Sequence, residues 1–327
     1  MIRLLHNLGL VLNFRDHPLL QNTSVLNPDW VTQGIYALLS DDDLKTKTKG
    51  ILTPADLSRI LDPQRYPPER HHYLTELMQE FQLCFRLTNQ TFTQSSLLPL
   101  GEGSRVSEHC FLIPGLLPKE QPDDITLEGD TLEFQYHYRI LPDSIISRFI
   151  VLTHQKIHNH TYWRSGVMLA YREGNDTCNI ARIKADKADG KIFISISGRE
   201  ETRRVFLCLI RDAFAKIHTS FGNLEVSEWV PVPGHPDYPP LDYQELLGLE
   251  AMGESECAIG KLRIKVNLRQ LLDGYESIET RQRRYQDKDG RTEYYIYGDY
   301  IHGDKAGGDK VGGDKVGQDK IGRDKSE

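Results

Sequence analysis

The chain has 327 residues, of which 39% are hydrophobic, enough to form buried cores in about two domains of ordinary size. This composition excludes a disordered or fibrous protein. The 40 Lys and Arg residues are outnumbered by 47 Asp and Glu residues, which gives a formal net charge of −7. Because the chain has no global positive field to attract polyanions, we expect no nucleic-acid partner.

The N-terminal residues and the cysteines indicate the cellular compartment. Asp16 and His17 occur before any small-residue cleavage site, and no apolar run reaches the ~18 residues of a membrane helix. We therefore expect a cytoplasmic protein without membrane insertion. The cysteines are odd in number and form no C-x-x-C pair, which favours reduced core thiols over disulfides or structural zinc. They are Cys84, Cys110, Cys178, Cys208 and Cys257.

The order of elements in residues 1–118 is typical of a winged-helix-like half. Pro28 and Asp29 mark the start of a helix, and Thr53 before Pro54 is an N-cap followed by a first-turn proline. A further helix is predicted over about Glu69 to Phe81. Together with short strands at GIL, FQLCFRL and CFLIP, the order is helix, strand, two helices, strand, long loop, strand.

Residues 119–252 follow a proline-containing linker and predict an antiparallel sheet packed with helices. TLEFQYHYRI reads as a strand, and Pro142 precedes a helix. Three strands are predicted at WRSGVMLAY, CNIARIKAD and KIFISISG, and a long helix from about Glu200 to His218 precedes a strand in LEVSEWVPVP. The whole chain is therefore predicted to be an α+β protein.

The remaining residues divide into a short α/β extension, 253–297, and a low-complexity tail, 298–327. In the tail an aspartate recurs every five residues from Asp299 to Asp324, usually followed by lysine. A five-residue period suits a β-solenoid, but six pentapeptides are too few to bury a core alone. Two readings stay open: a disordered Gly-rich linker, or a tail that orders by stacking with tails of other chains.

Four separated blocks resemble the COR domain, the module that follows the Roc GTPase in ROCO proteins. They are LGLVLNF, LNPDWVTQGIYALL, FLIPGLLP and WRSGV, and they occur in the family's order between about Leu4 and Met252. The resemblance implies a winged-helix-like N-terminal half and an antiparallel-sheet C-terminal half. It also implies dimerisation through the C-terminal half and coupling to a Roc GTPase in signal transduction.

The sequence lacks the motifs of the catalytic domains that accompany COR in longer relatives. The nearest match to a P-loop, Gly253 to Lys261, has six residues between its glycines and Leu262 in place of the hydroxyl residue. Neither leucine-rich repeats nor the kinase motifs are found. We therefore expect no enzyme activity, no cofactor and GTP binding only by association. The Roc domain is expected in trans, from a split gene, unless the chain is a fragment.

Two other chemistries compete with this interpretation. His154, His158 and His160 form H-x-x-x-H-x-H, placed at the end of a helix, where the first pair could share one face and bind a metal in a cryptic metal protein or enzyme. A winged helix can also bind DNA through its third helix, here ERHHYLTELMQEF. Three glutamates against one arginine in that segment are unfavourable for phosphate contacts.

The interface candidates are aromatic and arginine residues, the types enriched at interface hot spots. Trp163 and Arg164 have two readings, either as packing and capping residues beside Gly166 or as contacts to a second copy or to Roc. The interface residues predicted from the sequence are Trp30, Tyr36, Trp163, Arg164, Arg203 and Arg204. The preferred function is a non-catalytic regulatory and dimerisation module, and the alternatives are the metal protein above or a ROCO remnant without independent function.

Overall fold

A computed structural model describes residues 28–87, 110–122 and 125–286, together with the backbone of a short strand pair formed by β1 (Leu12–Asn13) and β2 (Ser24–Val25). The predicted loop from 88 to 109 and the pentapeptide tail lie outside the described residues. Side chains are described up to residue 282.

The N-terminal half consists of helices packed on a small antiparallel sheet. The sheet has three strands in the order β3-β5-β4. Its elements are α1 (Pro28–Ser40), α2 (Asp42–Thr46), β3 (Ile51–Leu52), α3 (Pro54–Ile60), a 3-10 turn (Pro68–Arg70), α4 (His71–Glu80), β4 (Phe85–Arg86) and β5 (Phe111–Leu112). The predicted helices and strands are present, and assignment to the winged-helix class stays a prediction.

Local sequence explains where these helices begin and what they bury. Thr53 and Asp56 form a reciprocal capping box at the start of α3, so the predicted N-cap is confirmed. Helix α1 buries Val31, Gly34 and Leu38 on one face. A Cβ added at Gly34 would lie 2.8 Å from Cε1 of Tyr66, so a side chain there would displace the ring.

The C-terminal half is built on a seven-stranded antiparallel sheet with the order β12-β11-β6-β10-β9-β8-β7. Its strands are β6 (Leu132–Tyr138), β7 (Ile157–Trp163), β8 (Gly166–Glu173), β9 (Asp176–Asp186), β10 (Lys191–Gly198), β11 (Val226–Val230) and β12 (Leu241–Asp242). Helices α5 (Asp143–Leu152) and α6 (Glu200–His218) supply Phe149 and Phe214, whose rings stack 4.2 Å apart in the core. Alternate residues of β6 and β10 face this core.

Strand β7 is not among the strands predicted from the sequence. Helix α5 ends at Leu152, and a 3-10 turn over His154–Lys156 leads directly into β7. The expected placement of His154, His158 and His160 at the end of one helix is therefore wrong. Ile157 and the Thr-Tyr-Trp run at 161–163 favour a strand, and the interspersed histidines and asparagine mask that pattern.

Residues beyond 252 continue the same core. They follow α7 (Tyr243–Ala251) and form a hairpin of β13 (Glu256–Ile259) and β14 (Ile264–Asn267), α8 (Leu268–Asp273) and α9 (Ile278–Gln286). Ile259, Val266 and Leu272 belong to the hydrophobic cluster under the large sheet. The segment from Gly253 to Lys261, the nearest match to a P-loop, thus contributes to a hairpin and not to a strand-loop-helix. The predicted boundary at 252/253 stays a prediction.

A buried arginine connects four elements of the C-terminal half. The fully buried guanidinium of Arg211 donates to both carboxylate oxygens of Glu228 at 3.0 Å and lies 3.8 Å from Glu276. It also lies 4.9 Å and 5.1 Å from the ring centroids of Phe134 and Tyr243. Because a buried charge is tolerated only when paired, removing one partner is expected to cost about 3–5 kcal/mol of stability.

Stability should fall as the pH drops because His218 is held neutral. Burial lowers its pKa to about 4, although the Glu228 carboxylate opposes the shift, and its Nε2 is 2.9 Å from the Tyr138 hydroxyl. In the unfolded chain His218 takes up a proton near pH 6.5, whereas in the folded chain it does so only near pH 4. Its contribution to the free energy of unfolding is therefore full above pH 6.5 and is lost as the pH falls from 6.5 to 4. The expected loss is about 3 kcal/mol.

Urea unfolding at pH 7 and pH 4.5 checks this prediction. His218→Gln should reduce the difference in unfolding free energy between the two pH values. His72→Gln, at an exposed position, should leave that difference unchanged. An equal pH effect in wild type and His218→Gln would contradict the assignment.

Candidate functional site

The two halves meet where the chain leaves β5 and where the β7–β8 hairpin turns. Arg164, in the hairpin turn, donates from Nε to the Leu117 carbonyl at 2.7 Å and from its backbone N–H to the Pro118 carbonyl at 2.8 Å. The Ser165 carbonyl accepts from the backbone N–H of Ala185 at 2.7 Å. Two of the four sequence blocks, FLIPGLLP and WRSGV, are therefore in direct contact. We call this contact the junction.

Trp163 and Gly166 explain the residue choice in WRSGV. The indole lies so close to Gly166 that an added Cβ would be 2.2 Å from Cζ2 of Trp163 and 2.5 Å from the Ile183 carbonyl oxygen. Trp163 is 1% exposed and packs with Ile125 and Met168. Only glycine permits this approach of ring to backbone.

A second set of contacts joins the halves on the side of α5. The ring of Phe85 stacks on His154 with centroids 4.8 Å apart. Arg148 donates to the side-chain oxygen of Gln82 at 2.8 Å and to the hydroxyl of Ser220 at 2.6 Å. Phe85 and Leu112 of the small sheet belong to the same hydrophobic cluster as the seven-stranded sheet. The halves therefore share a core as well as polar contacts.

A cleft of about 710 Å³ opens beside the junction. Both halves and the linker between them contribute to its walls. The lining residues are Lys49, Ile51, Leu112, Leu117, Pro118, Glu120, Gln121, Pro122, His160, Thr161, Tyr162 and Trp163. Of the predicted interface residues, the cleft includes Trp163 alone. His160 was considered only as a metal ligand, and the other lining residues were missed because only the fold brings them together.

The edge strand β7 bulges at the cleft. Ile157 pairs with Leu169 and Tyr162 with Val167, so residues 158–161 face Met168 alone. Asn159 and His160 have a left-handed backbone conformation, with φ of 45° and 52°. This conformation costs about 1 kcal/mol or more of conformational energy for each non-glycine residue. Bulges of this kind redirect side chains at sheet edges and near functional sites.

The histidines of the bulge are held in their neutral form. Burial lowers the pKa of His158, helped by the charge of Arg172, and burial also lowers the pKa of His160. The Nδ1 atom of His158 is buried and has no hydrogen-bond partner among residues 28–87, 110–122 and 125–286. Neutral imidazoles both donate and accept hydrogen bonds.

The interface candidates have different surroundings. Tyr36 is 71% exposed on α1, whereas Trp30 donates from Nε1 to the Arg65 carbonyl at 2.8 Å and packs on Tyr66. Arg203 donates to the Gly198 carbonyl and Arg204 to the Asp273 carbonyl. Arg164 forms the junction and Trp163 is buried. Tyr36 is thus the candidate that presents a large exposed side chain, and an interface role for all six stays a prediction.

The histidine cluster gains no support as a metal centre. His154 bonds through Nδ1 to the Val151 carbonyl, while His158 and His160 lie on the bulge of β7. Among the residues that the structure describes, no group of three or more His, Cys, Asp or Glu side chains is arranged to hold a metal ion. The five cysteines are free thiols. In the same residues, no helix is long and apolar enough to cross a membrane.

Family comparison matches both halves of the chain. Residues 1–117 match the model "C-terminal of Roc, COR-A domain", and residues 129–274 match "C-terminal of Roc, COR-B domain". The second match extends beyond the predicted boundary at residue 252 and includes the hairpin and α8. The point where the two matches separate, 118–128, contains the linker of the junction.

The chain is also similar to parts of much longer proteins. It is 26% identical over 52% of its length to "Probable serine/threonine-protein kinase pats1" and 29% identical over 50% to "Probable serine/threonine-protein kinase qkgA", both from Dictyostelium discoideum. It is 26% identical over 51% to "Roc-COR-CHAT protease" from Runella zeae. These matches span only 5%, 10% and 16% of the respective relatives.

Gly166→Ala tests the packing at the junction. The added methyl group must displace the indole of Trp163 or the β9 backbone, so we expect a loss of about 3 kcal/mol in unfolding free energy. Gly222→Ala is the matched control, because no atom lies within 4 Å of a Cβ there. Urea denaturation compares the two variants, and equal stability would contradict the proposed contact.

Proposed function

The chain belongs to the COR family, and from that premise we propose that it is a non-catalytic regulatory module that acts with a Roc-type GTPase domain. The observation that carries this proposal is the match of both halves to COR-A and COR-B. COR domains are not catalytic themselves, and the kinase and protease activities in the relatives' names belong to other parts of those proteins. GTP binding would therefore come to this chain by association.

We assign docking of the Roc domain to the N-terminal half. Helix α1 supports this assignment because its buried face is satisfied by the core while Tyr36 is exposed on the other side. A tyrosine supplies large contact area with little loss of conformational freedom. The junction would then connect a docked Roc domain to the sheet half.

We assign self-association to the sheet half. Residues of β6, β10 and β11 that alternate with the core positions include His137, Phe193 and Trp229. The rings of His137 and Trp229 stack 4.9 Å apart, and all three side chains are partly exposed. Aromatic groups on a sheet face with partial exposure are suited to contact a second copy.

A cytoplasmic location is part of the same proposal. The five free cysteines support it, because an oxidising compartment would favour disulfide formation or irreversible oxidation. Burial raises the pKa of Cys84 and of Cys208, the latter to about 11, so these thiols are unreactive. They therefore act as core residues.

Light scattering and GTP hydrolysis assays on the pure chain test the function. At concentrations on the order of 10 µM we expect a dimer, no GTP turnover, and formation of a complex with a cognate Roc domain. Phe193→Asp should give monomers that still bind Roc, and Tyr36→Ala should weaken Roc binding while leaving the dimer intact.

Two controls complete this test. Lys216→Asp introduces an aspartate at an exposed position of α6 and should preserve both the dimer and Roc binding. A wild-type monomer that binds no Roc domain would contradict the proposal. So would GTP hydrolysis abolished by a substitution in this chain.

A further inference from the structure

The cleft beside the junction has the dimensions of a ligand site. Its volume of about 710 Å³ falls within the range of roughly 300–1,000 Å³ in which proteins bind small molecules. The small sheet contributes Ile51 and Leu112 to its walls, and β7 and the linker contribute the other lining residues named above, apart from Lys49. Interfaces between domains are common places for such sites.

The walls combine an apolar surface with hydrogen-bond donors. Leu112 and Leu117 are almost completely buried in the chain and line the cleft with prolines of the linker. Thr161 and the phenol of Tyr162 add polar groups from β7, and burial raises the pKa of Tyr162 to about 12, so its hydroxyl stays protonated. A ligand with an apolar body and a few acceptor atoms matches this composition.

Two side chains of opposite charge, Lys49 and Glu120, line the cleft and differ in their exposure to solvent. Lys49 is partly buried, and within the described part of the chain it forms no ion pair. Glu120 is exposed to solvent. Water screens a charge at a partly buried residue less than a charge at a fully exposed one, so a ligand charge is attracted more strongly at Lys49 than at Glu120. The electrostatic preference of the cleft is therefore for an anion.

Two further observations point to the same place. The indole Nε1 of Trp163 is buried and has no hydrogen-bond acceptor among the described residues. Trp163 as a whole is only 1% exposed. Unsatisfied buried donors are rare in folded proteins and call for an explanation. Two residues that line the cleft, His160 and Lys49, have left-handed backbone, with φ of 52° and 49°. Non-glycine residues with left-handed backbone are found most often at ligand clamps and switch regions.

We propose that this cleft binds a small organic anion with an apolar body, such as an aromatic or branched-chain carboxylate. The apolar walls cover the body of the ligand, and the anionic group pairs with the ammonium of Lys49. Thr161 and the phenol of Tyr162 supply further hydrogen-bonding groups for acceptor atoms. This site is independent of the proposed Roc and dimer contacts, although a ligand held there touches both halves.

Paired fluorescent probes test the proposal on the full chain. We use 8-anilinonaphthalene-1-sulfonate, an apolar anion, and N-phenyl-1-naphthylamine, which has the same rings without the charge. Wild type should bind one molecule of the anion. Lys49→Gln should weaken anion binding about tenfold, the loss expected for one charge-assisted contact, and leave the neutral probe unaffected. Glu120→Gln should strengthen anion binding.

Lys47→Gln is the matched control, because Lys47 is an exposed neighbour paired with Asp43 outside the cleft. It should change neither probe. The proposal is overturned if the folded chain binds no anion, or if Lys49→Gln and Lys47→Gln have the same effect. Unchanged thermal unfolding of each variant confirms that the comparison is made on folded protein.

A second measurement locates the bound probe. The chain has three tryptophans, and Trp163→Phe identifies the indole N–H resonance of Trp163 in a proton–nitrogen NMR spectrum. On adding the anionic probe, that resonance should shift with the same dissociation constant as the fluorescence change. The resonances of Trp30 and Trp229 should not shift. A shift at either of these positions alone would place the probe elsewhere and overturn the assignment.

Discussion

The architecture depends on the contact between the WRSGV turn and the end of FLIPGLLP. Gly166 lets the indole of Trp163 lie against the backbone, which fixes the hairpin, and Arg164 then reaches two carbonyls of the linker. Since one side-chain and one backbone hydrogen bond of Arg164 require the turn and the linker to be correctly placed together, each half constrains the other. The shared hydrophobic cluster extends this constraint into the core.

A second constraint operates within the C-terminal half. Arg211 and Arg281 are both fully buried, and their carboxylate partners come from β11, α7 and α8 and from the turn before α9. Buried ion pairs contribute little net stability compared with apolar packing, but breaking one is costly, so they specify how these elements fit together. The helices beyond residue 252 are thereby fixed to the sheet.

Helices with strong end signals could be predicted from the sequence. Pro28, the Thr53–Pro54 cap and the apolar face of α6 identified their helices because these signals are local. Strand β7 could not be predicted, since its bulge depends on pairing with β8 and on the neighbouring half. The cleft could not be predicted for a related reason: Lys49 and His160 are 111 positions apart in sequence, and no motif contains both.

The central claim is that the halves form one cooperative unit through the junction. Native-state hydrogen exchange in increasing urea tests it most directly, using the amides of Ile113, bonded to the Gly50 carbonyl, and of Ala185, bonded to the Ser165 carbonyl. We expect both amides to exchange through the same global unfolding, with equal free energy and equal urea dependence. Exchange of Ile113 through a separate, lower-energy opening of the N-terminal half, while Ala185 stays protected, would contradict it.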